Sequence, residues 1–366
     1  MNPPAAIILA AGRGTRMKSD LPKALHEVCG VPMVGHLVET ARSLGVKKTV
    51  VIAGFGIAEV RRALGRSAEV VDQGELLGSG HAVSRAAGKL KNFKGPVVVF
   101  YCDTPLIGAP AVKALLEDHR RNRTDCSLLS VERDDPTGYG RIVRGRDGGV
   151  ARIVEENDAS DAEKAIREVN VGCYVFRAER LFDALKRVPR NPVKKEYYLT
   201  DAVGILSAEG RVGSVVTRDR GEVMGVNTPR ELAEAEGILQ QSILDRWSDK
   251  GVRIRDPRTT VIDADVTIGA GTLIHASTVI EEGARIGKGC VIGPFARIRG
   301  GSVIGDGAVV GNFVEIVRSS IGKRSQVKHL SYLGDAEVGE SVNVGAGTIT
   351  ANFDGKKKHR TVIRDG

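Results

Sequence analysis

Apolar residues follow two different periodicities along the chain, one in each half. In the first half they form short continuous runs, such as Ala5–Ala10 and Val97–Phe100, which contain several β-branched side chains. Runs of this length predict strands that are covered on both faces, as in a mixed α/β sheet. Residues with candidate chemistry follow both runs, with glycines after the first and Asp103 after the second.

A helical periodicity marks the boundary between the two halves. Thr228 and Glu231 have the spacing of a capping box, Pro229 suits the first helical position, and Gly251 is placed to end the helix. One face of this segment is apolar and includes Leu232, Ala235, Leu239, Ile243 and Trp247. We predict a packing helix over 228–251 that connects two unlike domains.

After this helix the period changes to six residues. Aliphatic side chains recur in one phase at Ile262, Ile268, Ile274, Ile280, Ile286, Ile292, Ile298, Ile304, Val310 and Ile316. Small or β-branched residues stand two positions earlier in most repeats. Such hexapeptides predict a solenoid in which three short strands make one triangular coil around an aliphatic interior. The column then shifts by one residue, to Ile321, Val327 and Leu333 and again to Val338 and Val344, which predicts small adjustments in the turns.

Composition limits the class of protein. A chain of 366 residues is long enough for two domains, and the net charge of +9 attracts anions. Nucleic acid is not favoured as the partner, because aromatic residues are 4% of the chain and the basic clusters at 120–123 and 356–358 are short. The five cysteines show no metal-binding or paired spacing, which fits a cytoplasmic enzyme. No apolar run approaches the ~20 residues of a membrane span.

The first glycine loop has the chemistry of a phosphate site. Residues 9–17 read LAAGRGTRM, and Lys23 follows in LPKALH. Gly12 and Gly14 allow backbone amides to point at one anion, while Arg16 and Lys23 add positive charge. The loop is neither a Walker motif nor a dinucleotide fingerprint, because Met17 stands where the latter needs its third glycine.

These and further motifs resemble one family of enzymes. The segments 73–82 (QGELLGSGHA), 101–106 (YCDTPL), 134–142 (DDPTGYGRI), 153–155 (IVE), 168–172 (EVNVG), 196–201 (EYYLTD) and 225–227 (GVN) occur in the order typical of bacterial bifunctional N-acetylglucosamine-1-phosphate uridylyltransferase/glucosamine-1-phosphate acetyltransferases. The resemblance extends, with gaps, from Ile7 to about Arg364. It implies a Rossmann-like nucleotidyltransferase domain (1–227), a linker helix (228–251) and a left-handed parallel β-helix (252–366), in a cytoplasmic homotrimer that makes UDP-N-acetylglucosamine for peptidoglycan and lipopolysaccharide.

The resemblance assigns roles in uridylyl transfer. UTP and N-acetylglucosamine 1-phosphate would be the substrates, with Arg16 and Lys23 as catalytic cations and Asp103 and Asn227 as ligands of Mg²⁺, a metal that prefers hard oxygens. Gln73 would recognise uracil, and the nucleotide would also contact Leu9, Ala10, Ala11, Gly12, Gly14, Gly78, Ser79 and Tyr101. Gly140, Glu155, Asn170, Tyr198 and Thr200 would line the sugar pocket, and His81 is expected to be structural. The nucleophile is an ionised phosphate that needs no general base.

For acetyl transfer, the resemblance assigns His329 as the catalytic base, with Arg299, Tyr332, Asn343, Asn352 and Lys358 around glucosamine 1-phosphate and acetyl-CoA as donor. Val317 stands where the family has a phosphate-binding lysine, with Arg318 beside it. The family also has more coils, both before Pro294 and after the position of Gly366. We therefore expect a shortened form, active in uridylyl transfer and poor in acetyl transfer.

Two other functions remain open from the sequence. The chain could be a different sugar-1-phosphate nucleotidyltransferase, of the thymidylyl or adenylyl type, although LAAG and LPK favour the uridylyl type. It could also be an inactive trimeric scaffold, but that function predicts loss of Lys23, Asp103 or Asn227, all of which are present. Acetyl transfer as the main role is disfavoured by the short C-terminal part.

Overall fold

The computed structural model describes residues 3–366 and divides into two compact units. Unit 1 comprises the residues up to His26 together with Pro32–Ala235, and unit 2 comprises Glu27–Val31 together with Glu236–Gly366. The division falls inside a helix, Pro229–Asp249, that matches the predicted one within two residues at each end. The three domain ranges expected from the sequence stay a prediction.

The elements before residue 250 are, in chain order, β1 (Ala5–Ala10), β2 (Glu27–Val28), β3 (Val31–Pro32), α1 (Met33–Ser43), β4 (Lys48–Ala53), α2 (Ile57–Leu64), β5 (Glu69–Asp72), α3 (Ser79–Ser84), β6 (Pro96–Tyr101), α4 (Ala109–Asn122), β7 (Cys126–Glu132), β8 (Arg141–Arg144), β9 (Val150–Val154), α5 (Asp161–Lys164), β10 (Glu168–Arg177), α6 (Ala178–Leu185), α7 (Leu199–Glu209), β11 (Val212–Thr217) and α8 (Pro229–Asp249). Short 3₁₀ turns lie at Thr15–Met17 and Lys23–Leu25.

A nine-stranded mixed sheet forms the centre of unit 1, with its main path in the order β11-β7-β10-β6-β1-β4-β5. Strand β1 is parallel to β4 and β6, whereas β10 is antiparallel to β6 and β7. Successive residues of β1 pack alternately into core clusters on the two faces of the sheet. The predicted doubly covered strand is therefore confirmed. Because β10 runs backwards, its first residues lie at the carboxyl edge of β1 and β6.

Unit 2 contains the short strands β12 (Arg253–Ile254), β13 (Val261–Ile262), β14 (Thr267–Ile268), β15 (Leu273–Ile274), β16 (Val279–Ile280), β17 (Arg285–Ile286), β18 (Val291–Ile292), β19 (Ala296–Ile298), β20 (Val303–Ile304), β21 (Val309–Val317), β22 (Ser320–Ile321), β23 (Gln326–Gly334), β24 (Ala336–Val338), β25 (Asn343–Val344) and β26 (Thr361–Ile363). These strands pair in parallel from coil to coil, as a β-helix requires.

The coils become shorter along the chain. Thr267 pairs with Arg285 and Arg285 with Val303, but Val303 pairs with Ser320, one residue earlier than the preceding spacing requires. This shortening explains the phase shift of the aliphatic column, because each later side chain must still reach the interior. Every residue of the predicted column is less than a tenth exposed. The solenoid expected from the hexapeptides is confirmed, as is the left-handed parallel β-helix that the resemblance implies.

The last coil carries a longer turn. Ile349 still pairs with Tyr332, whereas Ala336 pairs with Thr361, well beyond the spacing of a regular coil, so residues 351–360 form a loop outside the coil. The helix α8 has the predicted start, because Glu231 donates its amide to Thr228 Oγ1 over 3.2 Å and its Oε2 accepts the amide of Thr228 over 2.8 Å. Within residues 3–366, no helix combines the length and apolar character that a membrane crossing demands.

Candidate active site

The glycine loop folds tightly over Lys23. Gly14 has φ of +65°, and a Cβ added there would lie 2.6 Å from Lys23 Cβ, so a side chain at this position would clash. Glycine tolerates both the left-handed backbone and the close approach. The loop that leaves β1 thus brings Arg16 and Lys23 to the carboxyl edge of the sheet, where open α/β sheets bind ligands.

Two side-chain oxygens accept hydrogen bonds from one cation at this edge. Lys23 Nζ donates to Asp103 Oδ2 over 2.9 Å and to Asn227 Oδ1 over 2.8 Å, although 204 residues separate Lys23 from Asn227. Arg16 also donates to Asn227 Oδ1, over 2.8 Å. Lys23 is buried, with 8% of its surface exposed. The structure therefore brings together the four side chains to which the sequence assigned charge and metal chemistry.

The positions of Asp103 and Asn227 follow from the ends of two elements. Asp103 comes shortly after β6, and its carbonyl accepts the amide of Val226 over 2.7 Å, which ties the two segments together. Asn227 precedes α8, and its amide donates to Glu231 Oε2 over 2.8 Å. The capping box of α8 consequently also fixes the backbone of Asn227.

The donor set fits a hard divalent cation. Asp103 and Asn227 offer a carboxylate and an amide oxygen at 2.9 Å and 2.8 Å from the same ammonium, so both oxygens already face one positive charge. Between residues 3 and 366 no group of three or more His, Cys, Asp or Glu side chains is arranged to hold a metal. A cation here would therefore take its remaining ligands from phosphates and water, as Mg²⁺ does in nucleotide sites.

A pocket of about 340 Å³ opens beside these charges. Its walls include nine of the residues assigned to nucleotide binding: Leu9, Ala11, Gly12, Lys23, Gln73, Gly78, Ser79, Tyr101 and Asp103. Ala10 is a buried residue of β1 and packs into the core, while Gly14 lies against Lys23. The amide of Gln73 donates to Gly78 O over 3.1 Å and meets His81 Nδ1 at 3.4 Å. Gln73 is thus a buried, oriented amide rather than an exposed side chain.

The residues assigned to the sugar form a second, connected group. The carbonyl of Gly140 accepts the amide of Asn170 over 2.8 Å, and Thr200 Oγ1 donates to Glu155 Oε1 over the same distance. Ser79 Oγ of the nucleotide pocket accepts a hydrogen bond from the amide of Leu199 over 3.0 Å, so the first residue of α7 contacts that pocket. Tyr198, the residue before α7, is half-buried.

Burial controls the charges in this group. Desolvation raises the pKa of Glu155, and the hydrogen bond from Thr200 works in the opposite direction by favouring the ionised carboxylate. Burial also raises the pKa of Tyr198 to about 12 and holds the pKa of Tyr101 well above its usual range, so both phenols are neutral. The site can therefore accept sugar hydroxyls on one carboxylate while its aromatic walls stay uncharged.

Three residues of this site were not singled out from the sequence. The hydroxyl of Tyr174 accepts from Asn170 Nδ2 over 2.7 Å, and its ring lies 6.1 Å from that of Tyr101. Leu76 and Glu196 line the nucleotide pocket. Leu76 and Glu196 belong to two of the motifs that carry the resemblance, so the sequence contained a signal by which they could have been found. Tyr174 lies in none of these motifs, and its position in the site depends on the antiparallel pairing of β10 with β6.

The acetyltransferase residues of unit 2 are brought together in part. Asn352 Nδ2 donates to Asp335 Oδ2 over 2.5 Å, and Asp335 and Lys358 line a pocket of about 400 Å³ with Arg318. Arg299 lines an adjacent pocket that shares Arg318. The remaining assigned residues, His329, Tyr332 and Asn343, line neither pocket and lie on β23 and β25. His329 is exposed.

Comparisons with known proteins agree with both units. Residues 6–193 match the model of the MobA-like NTP transferase domain, and residues 283–318 match that of the bacterial transferase hexapeptide. The chain is 45% identical to the bifunctional protein GlmU of Shouchella clausii, over 99% of this chain and 87% of that protein. The same protein of Geobacillus thermodenitrificans is 45% identical over 99% and 86%. Both alignments extend over 395 positions, more than this chain has residues, so the relatives carry segments that it lacks.

A solved structure supports the fold over about two thirds of the chain. The crystal structure of a UDP-glucose pyrophosphorylase complexed with UDP-glucose covers 65% of this chain and 98% of its own, with a TM-score of 0.53 and 17% identity. Fold, site and comparisons together define an enzyme of the sugar-1-phosphate uridylyltransferase class, joined to acetyltransferase-type hexapeptide repeats. The chain belongs to the family of the bifunctional protein GlmU. The family expected from the sequence is confirmed.

Proposed function

We propose that unit 1 transfers the uridylyl group of UTP to N-acetylglucosamine 1-phosphate and releases pyrophosphate, with Mg²⁺ as the metal. The observation that carries the proposal is the convergence of Asp103, Asn227 and Lys23 beside the pocket of Gln73. The pocket offers an oriented amide for a uracil, and the neighbouring group with Glu155 suits sugar hydroxyls. Asp103 and Asn227 would hold the metal, which supplies charge neutralisation to the phosphates when it is bound.

The reaction depends on alignment of the two phosphate substrates and on stabilisation of negative charge more than on proton transfer. The attacking phosphate oxygen is already ionised near pH 7, since the second pKa of a phosphomonoester is ~6. Arg16 and Lys23, which both donate to Asn227, would stabilise the charge that develops on the departing pyrophosphate. The backbone of Gly12 and Gly14 would leave room for the phosphates, and the walls of the pocket would hold the nucleophile in line.

A substrate comparison tests this assignment. Pyrophosphate release should be measured with UTP, ATP, CTP and dTTP, each combined with the 1-phosphates of N-acetylglucosamine, glucosamine and glucose. We expect the highest kcat/KM for UTP with N-acetylglucosamine 1-phosphate. Preference for another nucleotide would overturn the role of Gln73, and preference for unacetylated glucosamine 1-phosphate would overturn the assigned sugar.

We further propose that unit 2 transfers acetyl groups slowly, with His329 as the base. The support is Val317, which is 2% exposed, carries no charge and stands where the resemblance implies a phosphate-binding lysine. The neighbouring Arg318 cannot easily replace that lysine, because it makes two 2.8 Å hydrogen bonds to Asp335. Thiol release from acetyl-CoA and glucosamine 1-phosphate should be much slower than pyrophosphate release, and comparable rates would overturn this proposal.

A homotrimer in the cytoplasm is proposed as the working form. Phe295, Phe313 and Leu330 occupy equivalent corners of successive coils, and at least half of the surface of each residue is exposed. The two phenylalanine rings stack with centroids 4.9 Å apart, which makes an apolar column suited to contact with another copy. Light scattering after size exclusion should give three times the mass of one chain for the wild type. A monomer at that step would contradict the proposal.

The cysteines of residues 3–366 are all free and buried, which supports the proposed cytoplasmic location, because disulfides are rare in that reducing compartment.

A further inference from the structure

A second pocket of unit 1, about 470 Å³ in volume, lies at the opposite edge of the sheet from the candidate active site. Pro96 begins β6 and pairs with Arg177, the last residue of β10, so both mark the edge away from Asp103. We call it the basal pocket and define it by its lining: Lys94, Gly95, Pro96, His119, Arg120, Arg123, Thr124, Arg177, Ala178 and Glu179.

The lining of the basal pocket is strongly positive. It includes Lys94, Arg120, Arg123 and Arg177, against one carboxylate, Glu179. Arg177 is paired with Asp125 at 3.1 Å, but in the part of the chain that the structure describes neither Lys94, Arg120 nor Arg123 makes an ion pair. Lys94, Arg120 and Arg123 are exposed, so water and salt screen part of their mutual repulsion, and an anion between them would relieve the rest.

The lining of the pocket also contains a buried, neutral polar side chain, that of His119. His119 is 5% exposed, and its Nδ1 meets Thr124 Oγ1 at 2.9 Å. The imidazole ring lines the pocket. Burial, followed by the charge of Arg177, lowers the pKa of His119 to about 4, so the ring is neutral at pH 7. In the tautomer whose Nδ1 accepts from Thr124, Nε2 carries the proton and can donate to an anionic oxygen.

The first turn of α6 adds backbone donors. Arg177 is the N-cap residue of α6 and makes no side-chain capping bond, and Ala178 and Glu179 both line the pocket. Uncapped amides at a helix N-terminus favour anions. The C-terminus of α4 gives a different explanation for Arg120 and Arg123, because cations complement the dipole there. That explanation does not account for Lys94, which precedes β6, or for a concavity of this size.

We propose that the basal pocket binds a small anion that carries two or more phosphate groups. Several unpaired cations around a volume larger than one phosphate group favour such an anion over a single phosphate. Pocket and active site lie at opposite ends of β6 and β10, so this would be a separate site from the catalytic one. The proposal is independent of which sugar or nucleotide the active site takes.

Binding of tripolyphosphate to the full chain tests the proposal. Isothermal titration in EDTA, with saturating UDP-N-acetylglucosamine to fill the active site, should show one tripolyphosphate per chain. The double variant Arg120→Gln, Arg123→Asn should weaken binding by at least ~tenfold, since two charge-assisted contacts are lost. Asparagine suits position 123, where φ is +49°. The control Arg121→Gln removes an exposed charge from the same helix outside the lining and should change binding less than ~twofold.

Three results would overturn the proposal: no binding beyond the active site, equal weakening by the control, or equally tight binding of sulfate at the same ionic strength. Amide hydrogen exchange locates the binding site. We expect tripolyphosphate to slow exchange in peptides that contain residues 119–124 and 177–180. Protection confined to the glycine loop would also contradict the site. The double variant should catalyse uridylyl transfer at the rate of the wild type, which verifies that it is folded. If the proposed function is wrong, the uridylyl-transfer assay fails for the wild type too, while tripolyphosphate binding to the basal pocket is unaffected.

Discussion

Three hydrogen bonds join the charged side chains of the candidate active site: Lys23 Nζ donates to Asp103 and Asn227, and Arg16 donates to Asn227. Gly14, Lys23, Asp103 and Asn227 come together as expected, with Lys23 Nζ between two oxygens. What the sequence could not supply is how each group is buried. Gln73 is enclosed and Glu155 is desolvated because of strands and helices distant in sequence. Tyr174 was missed for the same reason.

The pH dependence of unit 1 should reveal the contact between Thr200 and Glu155. Burial raises the pKa of Glu155, and the Thr200 hydrogen bond lowers it. Thr200→Val removes the lowering contribution, so the pKa rises further and ionisation of Glu155 is completed at a higher pH. The acid limb of the profile of kcat/KM for the sugar phosphate should therefore move to higher pH.

Ser207→Ala is the matched control for that prediction. Ser207 lies on the same helix, α7, and its hydroxyl donates to the carbonyl of Val150, away from Glu155. The acid limb of the pH profile of kcat/KM for Ser207→Ala should coincide with that of the wild type. An unchanged limb in Thr200→Val would show that Glu155 does not need to be ionised for the sugar phosphate to react.

At the scale of elements, the helix start at Thr228 links capping to the active site. Glu231 Oε2 accepts the amides of both Thr228 and Asn227 over 2.8 Å. A capping box normally stabilises its helix by about 1 kcal/mol. Here it also holds the residue proposed as a metal ligand, a connection that the spacing of Thr228 and Glu231 alone does not reveal.

Loss of Glu231 should therefore weaken metal use. Glu231→Ala frees the backbone of Asn227, and the Mg²⁺ concentration for half-maximal pyrophosphate release should rise several-fold. Glu234→Ala, an exposed carboxylate one turn along α8, should leave this concentration unchanged. Equal metal dependence of the two variants would indicate that Glu231 serves the helix alone.

The aliphatic column of the β-helix is predicted to carry the stability of unit 2. Ile286 on β17 is 4% exposed, whereas the adjacent Arg285 is exposed. Ile286→Ala should lower the free energy of unfolding by about 2–5 kcal/mol, because it leaves a cavity in a closed interior. Arg285→Ala, on the same strand, should change it by less than ~0.5 kcal/mol. If chemical denaturation shows that both variants lose a similar amount of unfolding free energy, the assignment of Ile286 to the interior is contradicted.

For the whole molecule, the sequence predicted two architectures and the phase of the repeats. It did not predict that the coils shorten by one residue at Val303, since a slip in phase fits several turn geometries. Nor did it assign Glu27–Val31 to unit 2, where the carbonyl of Cys29 accepts the amide of Ala264 over 2.9 Å. Contacts between distant segments are not encoded in a local period.

The net charge of +9 should influence how fast anionic substrates arrive. A positive field raises association rates and is screened by salt, with a Debye length of ~10 Å at 0.1 M. Raising KCl from about 50 to about 500 mM should lower kcat/KM for UTP several-fold while kcat changes little. Equal decreases in both constants would indicate that salt acts on the chemical step or on the fold.

The proposed function depends most on Asp103 and Asn227 acting as one metal and nucleotide site with Lys23. The direct measurement is the rate of pyrophosphate release from UTP, N-acetylglucosamine 1-phosphate and Mg²⁺ by Asp103→Ala, beside Asp161→Ala, an exposed carboxylate of α5. We predict that Asp103→Ala loses at least ~10²-fold in kcat with an unchanged melting temperature, and that Asp161→Ala matches the wild type. Substantial turnover by a folded Asp103→Ala would contradict this function.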